Sequence, residues 1–348
     1  MEKIRILKDS EGVRYRLLDN GTVMRLDEKG SASDCSEQSR PLLKEELSAR
    51  LVRASEEVPE KLRREFDDKS ALISAELKTL SRDQDIADGP LLPNRPAWVD
   101  ATFQPKRAVR ASRRRVTHRD VALDPLVVWG ADDRKTYFDT SFPWGCICRV
   151  VASDGAPGSG VIVGPRHVLT ASHNINWADV SSTVEVHRAG RFVAATAQAI
   201  RVWAFEKVGN VGATTVDDDY ALIVTNSRIG DRFGWMGCRT YDSRWDGENY
   251  WWNIGYPGSF GSITPTWQNN QNLDEDEWDY GAGRAMTTSA DISSGNSGGP
   301  MFGFWNDGPY VVAVASAEGF VFASGIENWC AGGSNLTRLV SFARSADP

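Results

Sequence analysis

Apolar positions follow one period in the first eighty residues and another in the last two-thirds of the chain. Residues 4–7 and 13–18 alternate between apolar and polar, and Asn20-Gly21 before residues 22–26 predicts a hairpin turn between two strands. From 41 to 80 the spacing becomes helical. Leu43, Leu47 and Leu51 form one stripe, and Leu62, Phe66, Ile73, Leu77 and Leu80 form a second, so two amphipathic helices are expected, the second beginning near Pro59. Gly89-Pro90, Pro93 and Pro96 then mark a linker, and residues 106–115 are strongly basic, ending in Arg113-Arg114-Arg115. Further on, the apolar run 160–173 reads as two short β-segments around the turn Gly164-Pro165, which puts His173 at the end of the second. Asp219 stands at the mouth of another buried strand, 220–224, and residues 310–315 are a further one.

The chemistry begins at Gly295-Asn296-Ser297-Gly298-Gly299-Pro300. A serine hydroxyl between glycines suits a nucleophile beside an oxyanion hole, because glycine at 295 lets the amides of Gly295 and Ser297 point into one small cavity. Alone, such a cluster is an ordinary surface turn. Likewise a lone strand-end histidine is more often structural, and a lone strand-end aspartate is a solvated charge. Taken in chain order, His173, Asp219 and Ser297 supply base, orienter and nucleophile together.

Thr170-Ala171-Ser172-His173, Asp219-Tyr220-Ala221-Leu222 and the Ser297 block resemble the three catalytic blocks of the chymotrypsin-like (trypsin-like) serine peptidases. Asp132-Asp133-Arg134, Asp139-Thr140, Phe142-Pro143-Trp144, Gly255-Tyr256-Pro257-Gly258 and Asn335-Leu336-Thr337-Arg338-Leu339 resemble the bacterial branch that contains the glutamyl endopeptidases. The resemblance covers roughly residues 127–345. It implies a mainly β fold, a chymotrypsin-like double β-barrel of two six-stranded units with the active site between them and a C-terminal helix; the pattern of the first eighty residues places a smaller α/β extension before it. The expected organisation is 1–88, a hairpin plus helical extension serving as a regulatory or pro-segment; 89–126, a Pro-rich and basic linker; and 127–348, the peptidase domain. It also implies that Ser316 lies beside the catalytic acid, and that Ala317 and Glu318 continue the backbone that pairs with a substrate strand.

Departures from the family pattern carry expectations of their own. Asn174 replaces a cysteine that many relatives have after the histidine, so the disulfide bracing that loop is absent. Asn296 replaces the aspartate that receives a newly formed N-terminal ammonium in trypsin-like zymogens, so activation by that ion pair is not expected. Ala315 stands where the glutamyl branch has a histidine, which argues against a preference for glutamate. Asp291, six residues before Ser297, matches the spacing of an acid at the base of a pocket for Arg or Lys, although the glutamyl branch carries a nearby acid that does not set specificity. If the pocket is basic-specific, Arg113-Arg114-Arg115 is a self-processing site, with cleavage expected after Arg115.

Composition adds limits. A net charge of -7 argues against general nucleic-acid binding, and no stretch is long and apolar enough to span a membrane. The acidic run 274–279 lacks the spacing of a calcium loop, so neither a metal nor another cofactor is expected. The 13 tryptophans are expected in the core or in pocket walls. An odd number of cysteines, 5, and a first segment without an apolar signal region suggest a cytoplasmic protein, with export by a non-classical route as the alternative; Cys146 and Cys148 are not expected to pair. The expected partners are a protein or peptide substrate and a regulatory partner of the extension. Two rival readings stand beside the serine endopeptidase: a catalytically silent peptidase fold used for binding, and an HtrA-type quality-control protease, against which the lack of a following peptide-binding domain counts.

Overall fold

The computed structural model describes residues 5–8, 14–17, 23–25, 40–47, 51–64, 74–81, 89–106, 128, 132–212, 215–275, 283–321 and 325–348. Six strands form the first barrel: β1 (Ile147–Ala152), β2 (Pro157–Gly164), β3 (His167–Thr170), β4 (Ser182–Ala189), β5 (Phe192–Ala204) and β6 (Ala221–Thr225). Their order is β4-β1-β2-β3-β6-β5, and a β4–β5 pairing closes the ring. Where a strand has one wet face, its sequence alternates. On β4, Val184 and Val186 point inward while Glu185 lies in register with Arg149 of β1 and pairs with it at 2.9 Å. The core runs of β2, β3 and β6 are apolar without interruption because they are covered on both sides.

The second barrel is built from β7 (Trp251–Gly255), β8 (Thr266–Gln271), β9 (Arg284–Thr288), β10 (Pro300–Trp305), β11 (Gly308–Val321) and β12 (Gly325–Gly332). Their order is β9-β12-β11-β10-β7-β8, and a bridge between Asp274 and Thr287 draws the two ends together. Aromatic rings line both faces of its sheet, because Trp251 and Trp252 are consecutive on β7 and enter two separate clusters. Trp252 stacks on Trp267 at 5.5 Å, and Trp251, Trp245, Trp305 and Tyr310 meet in tilted or edge-to-face pairs, each contact worth about 1 kcal/mol beyond its buried area.

Helix α1 (Ser334–Ala346) follows Gly333 and packs on β3, β5 and β6 of the first barrel. Leu336, Leu339, Val340 and Ala343 recur at helical spacing and are fully buried. Each of the larger ones contributes on the order of 2 kcal/mol, so a charge at Leu339 would detach the helix. The main chain of the final turn is used as well: the Ala343 carbonyl meets His167 Nε2 at 3.1 Å.

The extension departs from the sequence expectation. Strands Arg14–Leu17 and Val23–Arg25 pair antiparallel as the expected hairpin, and Arg5–Lys8 adds to make a three-stranded sheet, while Asn20-Gly21 lies outside the described residues. Of the two amphipathic helices expected between 41 and 80, the first is corrected to a 3-10 turn at Lys44–Glu46 and a short strand Leu51–Val52; the second begins as expected with a helix Glu60–Arg64, Phe66 and Ile73 lie outside the described residues, and Leu77 belongs to a strand, Glu76–Thr79. The reason is tertiary. Leu77 sits in a strand that adds in parallel to β5, with Leu77 opposite Val202, and an open sheet edge outweighs a modest helical pattern. Residues 89–106, expected as a linker, are packed instead. Leu91 bridges to Cys238, Asn94 bridges to Trp235, and the Thr102 carbonyl accepts from Trp144 Nε1 at 2.8 Å. Arg113, Arg114 and Arg115 lie outside the described residues.

Cys146, Cys148, Cys238 and Cys330 are unpaired and fully buried, Cys146 in a 3-10 turn and Cys148 on β1. Burial holds their thiols far above the ordinary range, that of Cys238 at about 12, so they pack as small apolar groups and not as nucleophiles. Dithiothreitol is accordingly expected to leave activity unchanged, and these four thiols should resist an aromatic disulfide reagent until the protein is denatured. A loss of activity in reductant that returns on reoxidation would contradict the thiol assignment.

Candidate active site

β3 ends at Thr170, and the chain turns through the 3-10 segment Ser172–Asn174, which carries His173 three residues past the strand. The turn is pinned by Ser172, whose hydroxyl donates to the Glu206 carbonyl at 2.9 Å and accepts from the Val208 amide at 3.0 Å. Asp219 caps the 3-10 turn Val216–Asp218 just before β6. Antiparallel pairing of β3 with β6, Thr170 opposite Ala221, brings the two residues together although 46 positions separate them.

The Asp219 side chain is wholly buried, and three donors converge on it. Oδ1 accepts the His173 amide at 2.9 Å, and Oδ2 accepts His173 Nδ1 at 2.6 Å and the Ser316 hydroxyl. An ionised carboxylate can only accept, so the proton is on Nδ1 and Nε2 carries the free lone pair. The His173 side chain keeps 20% exposure. Burial works against its imidazolium, but the charge and hydrogen bond of Asp219 together prevail and hold His173 above its ordinary titration range.

Ser297 lies in the loop before β10, with 6% exposure. Its hydroxyl donates to the Ser316 carbonyl at 3.5 Å, a long contact that the hydroxyl must give up in order to donate to an imidazole base. Around it the backbone is tightly specified. Asn296 N donates to Ser293 O, and the amides of Gly298 and Gly299 donate to Ala315 O and Asn296 O. The amides of Gly295 and Ser297 have no hydrogen-bond partner among the described residues. Two glycines make this possible. Gly295 has φ +92°, and a Cβ there would stand 2.5 Å from Tyr256 O; Gly298 has φ +81°, and a Cβ would stand 2.2 Å from Ser159 O.

The site spans the two barrels and is held by residues that the sequence reading passed over. Ser159 of β2 donates its amide to Ser297 O at 2.8 Å and its hydroxyl to Gly295 O at 2.6 Å, and accepts Tyr256 N at 2.8 Å. Asn174 was noticed only as a missing cysteine. Its amide donates to Ser297 O at 2.7 Å and to Thr170 Oγ1 at 3.0 Å, so it braces the loop in place of a disulfide. Asn296 is fully buried and donates to Asn253 Oδ1 at 3.1 Å, a neutral pair where zymogen-type relatives build an ion pair. The three described histidines divide clearly: His167 and His187 are buried away from the cleft and pushed down to about 4, chiefly by burial, while of the three His173 hydrogen-bonds an acid.

Ser316 falls at a bulge of β11 between Ala315 and Ala317. Ala317 and Glu318 pair with Trp329 and Asn328 of β12, whereas β10 stops opposite Val314. Past Ser316 the other edge of β11 therefore carries no strand among the described residues, which suits an added peptide strand. Asp291 is buried, its Oδ2 accepting from Asp133 N at 3.2 Å and Gln268 Nε2 at 3.0 Å. Asn328 Nδ2 donates to Ala290 O at 2.9 Å, so the segment of Asp291 stands against β12.

Residues 158–314 match the family model of the trypsin-like peptidase domain, a span that holds His173, Asp219 and Ser297 and runs from β2 into β11. Among solved structures, a Glu endopeptidase in complex with MPD matches with a TM-score of 0.52 at 21% identity, covering 63% of this chain and 100% of that one. The protease Anisep from Arthrobacter nicotinovorans matches with a TM-score of 0.46 at 19% identity, over 58% of this chain and 96% of that one. No curated protein sequence matches. The likeness to the Glu endopeptidase gives the fold, two barrels with a short C-terminal helix. Fold and family match agree on a trypsin-like peptidase domain over residues 158–314 within a chymotrypsin-like double barrel, and together they support a serine endopeptidase.

Proposed function

We propose that Ser297, His173 and Asp219 hydrolyse peptide bonds through an acyl-enzyme, with the amides of Gly295 and Ser297 as the oxyanion hole. The observation that carries this reading is the pair of bonds from His173 to Asp219, which orients the imidazole with Nε2 available as a base. Ser297 Oγ attacks the scissile carbonyl and gives its proton to Nε2. The carbonyl oxygen takes the negative charge between the two amides, the C–N bond breaks, and His173 returns the proton to the leaving amine. Water then repeats the sequence on the acyl-enzyme. Substrates are proteins or peptides, and the open edge of β11 at Ala317 and Glu318 is the place for their backbone.

A preference for Arg or Lys at the residue before the scissile bond is the finer part of the proposal. It is supported by the place of Asp291, a buried acid six residues before Ser297 in a segment that stands against β12. Such an enzyme cuts its own basic run after Arg115. Strand Glu76–Thr79 and the packed residues 89–106 then keep the N-terminal fragment attached as a regulatory segment.

Ser297→Ala is expected to abolish turnover and labelling by a serine-directed phosphonate while leaving the thermal midpoint unchanged. The same variant should stay full length, whereas wild type yields a new terminus at Val116 and two fragments that co-elute on size exclusion. Undiminished turnover by a verified Ser297→Ala preparation refutes the triad, and a wild type that cleaves peptides but stays intact refutes self-processing alone.

The pH profile has a definite sign. His173 must be neutral to accept a proton, and Asp219 raises its titration above the ordinary value of 6.5, so kcat/KM falls as the pH drops through a limb above 6.5. Asp219→Asn should move that limb downward and cost about 10⁴ in kcat; an unmoved limb means that Asp219 does not set the histidine.

Asp291→Asn keeps an oxygen acceptor but removes the charge. It is expected to lower cleavage after Arg and Lys at least about tenfold more than cleavage after apolar residues, read from a peptide library. Equal losses across the library remove the basic pocket and leave the triad standing.

A further inference from the structure

Arg134 lies upstream of the first barrel, next to the strand Lys135–Thr136 that pairs with β8, yet its side chain is only 1% exposed. Asp132 supplies the counter-charge in a two-pronged contact, Nε to Oδ1 at 3.0 Å and Nη2 to Oδ2 at 3.0 Å. The remaining donors leave the segment altogether. Nη1 donates to Ser293 Oγ at 2.8 Å, Nη2 donates to Ser259 Oγ at 3.0 Å, and the guanidinium carbon stands 5.4 Å from the centre of the Phe260 ring.

Both serines flank one peptide group. Ser293 opens the turn in which its carbonyl accepts the Asn296 amide at 2.9 Å with Gly295 at φ +92°. Ser259 belongs to the 3-10 turn Gly258–Phe260, whose first amide donates to Ser294 O at 2.6 Å. In a trans peptide the C=O and the following N–H point in opposite directions. Holding Ser294 O on Gly258 therefore fixes where the Gly295 N–H points, and the guanidinium fork ties together the two turns that make this hold. The planar, permanently charged fork is suited to the task because it spans several acceptors at once. Asn296, bonded to the neutral Asn253, brings no charge to it.

We propose that Arg134 is a positioning residue of the oxyanion hole: a cation supplied from inside the chain that keeps the Ser294–Gly295 peptide turned with its N–H toward the substrate carbonyl. The inference rests on the peptidase reading above. Arg134 is internal both in the intact chain and in one cut after Arg115, so the hole is set without a new terminus.

The test compares Arg134→Gln, Arg134→Lys and Ser293→Ala with wild type, each checked for folding by its thermal midpoint. A peptide aldehyde of a cleaved sequence, which forms a tetrahedral adduct on Ser297, is set against the matching peptide alcohol, which binds without one. Arg134→Gln is expected to lower kcat by about 10²–10³, the range for loss of one oxyanion donor, and to weaken the aldehyde by a similar factor. KM and alcohol binding should move less than about threefold. Arg134→Lys recovers part of the loss, and Ser293→Ala, which leaves the Arg134–Asp132 pair intact, shifts kcat and aldehyde affinity the same way and decides the matter if the Arg134 variants do not fold. A folded Arg134→Gln, or a Ser293→Ala, with wild-type kcat and aldehyde affinity overturns the inference, as does equal weakening of aldehyde and alcohol. A wild type that neither turns over peptide nor takes the phosphonate overturns the peptidase reading and this inference with it.

Discussion

Asp219 carries a carboxylate with no exposed surface, and a buried charge must be met by donors brought to it from elsewhere in the fold. Two come from His173 in the first barrel and one from Ser316 in the second, so the interface between the barrels is organised around satisfying this one group. Each donor is charge-assisted and short, which fixes the imidazole plane and leaves it little freedom to turn. The same bonds that remove the cost of burying Asp219 also set the tautomer and raise the titration of His173. Structure and proposed chemistry thus share a single interaction.

The Ser297 loop is held on a second set of contacts that cross the barrels. Ser159 and Asn174 both reach the Ser297 carbonyl, and Ser159 also reaches that of Gly295, so the backbone whose amides face the cleft is fixed through its carbonyls. No disulfide takes part among the described residues, where the four cysteines are unpaired. Polar side chains do this work at the cost of specific geometry: Gly298 cannot carry even a Cβ without meeting Ser159 O and Thr170 Oγ1. The aromatic second core and helix α1 keep both barrels rigid enough for such close contacts to persist.

The segment before the barrels is not an appendage in its described parts. It adds a strand to β5, bridges to Trp235 and Cys238, and delivers Arg134 to the turn that precedes Ser297. Loss of these residues would expose an edge of the first barrel and apolar surface on both.

The sequence by itself determined the order and identity of the chemical groups. Glycines that must flank a nucleophile, an acid at a strand mouth and a histidine after an apolar run are local patterns, and the uninterrupted runs of β2, β3 and β6 announced buried strands. The C-terminal helix was expected from the family resemblance, and a tryptophan-rich core from composition. Tertiary structure decided what depended on partners far along the chain. Leu77 became a strand residue because β5 had a free edge, Asn174 became a brace because Ser297 O lies within its reach, and Arg134 gained a use because the turns of Ser259 and Ser293 meet. Periodicity reports which face of a segment is apolar; it does not report which distant acceptor stands opposite a polar side chain, and that was settled only when the two barrels closed on each other.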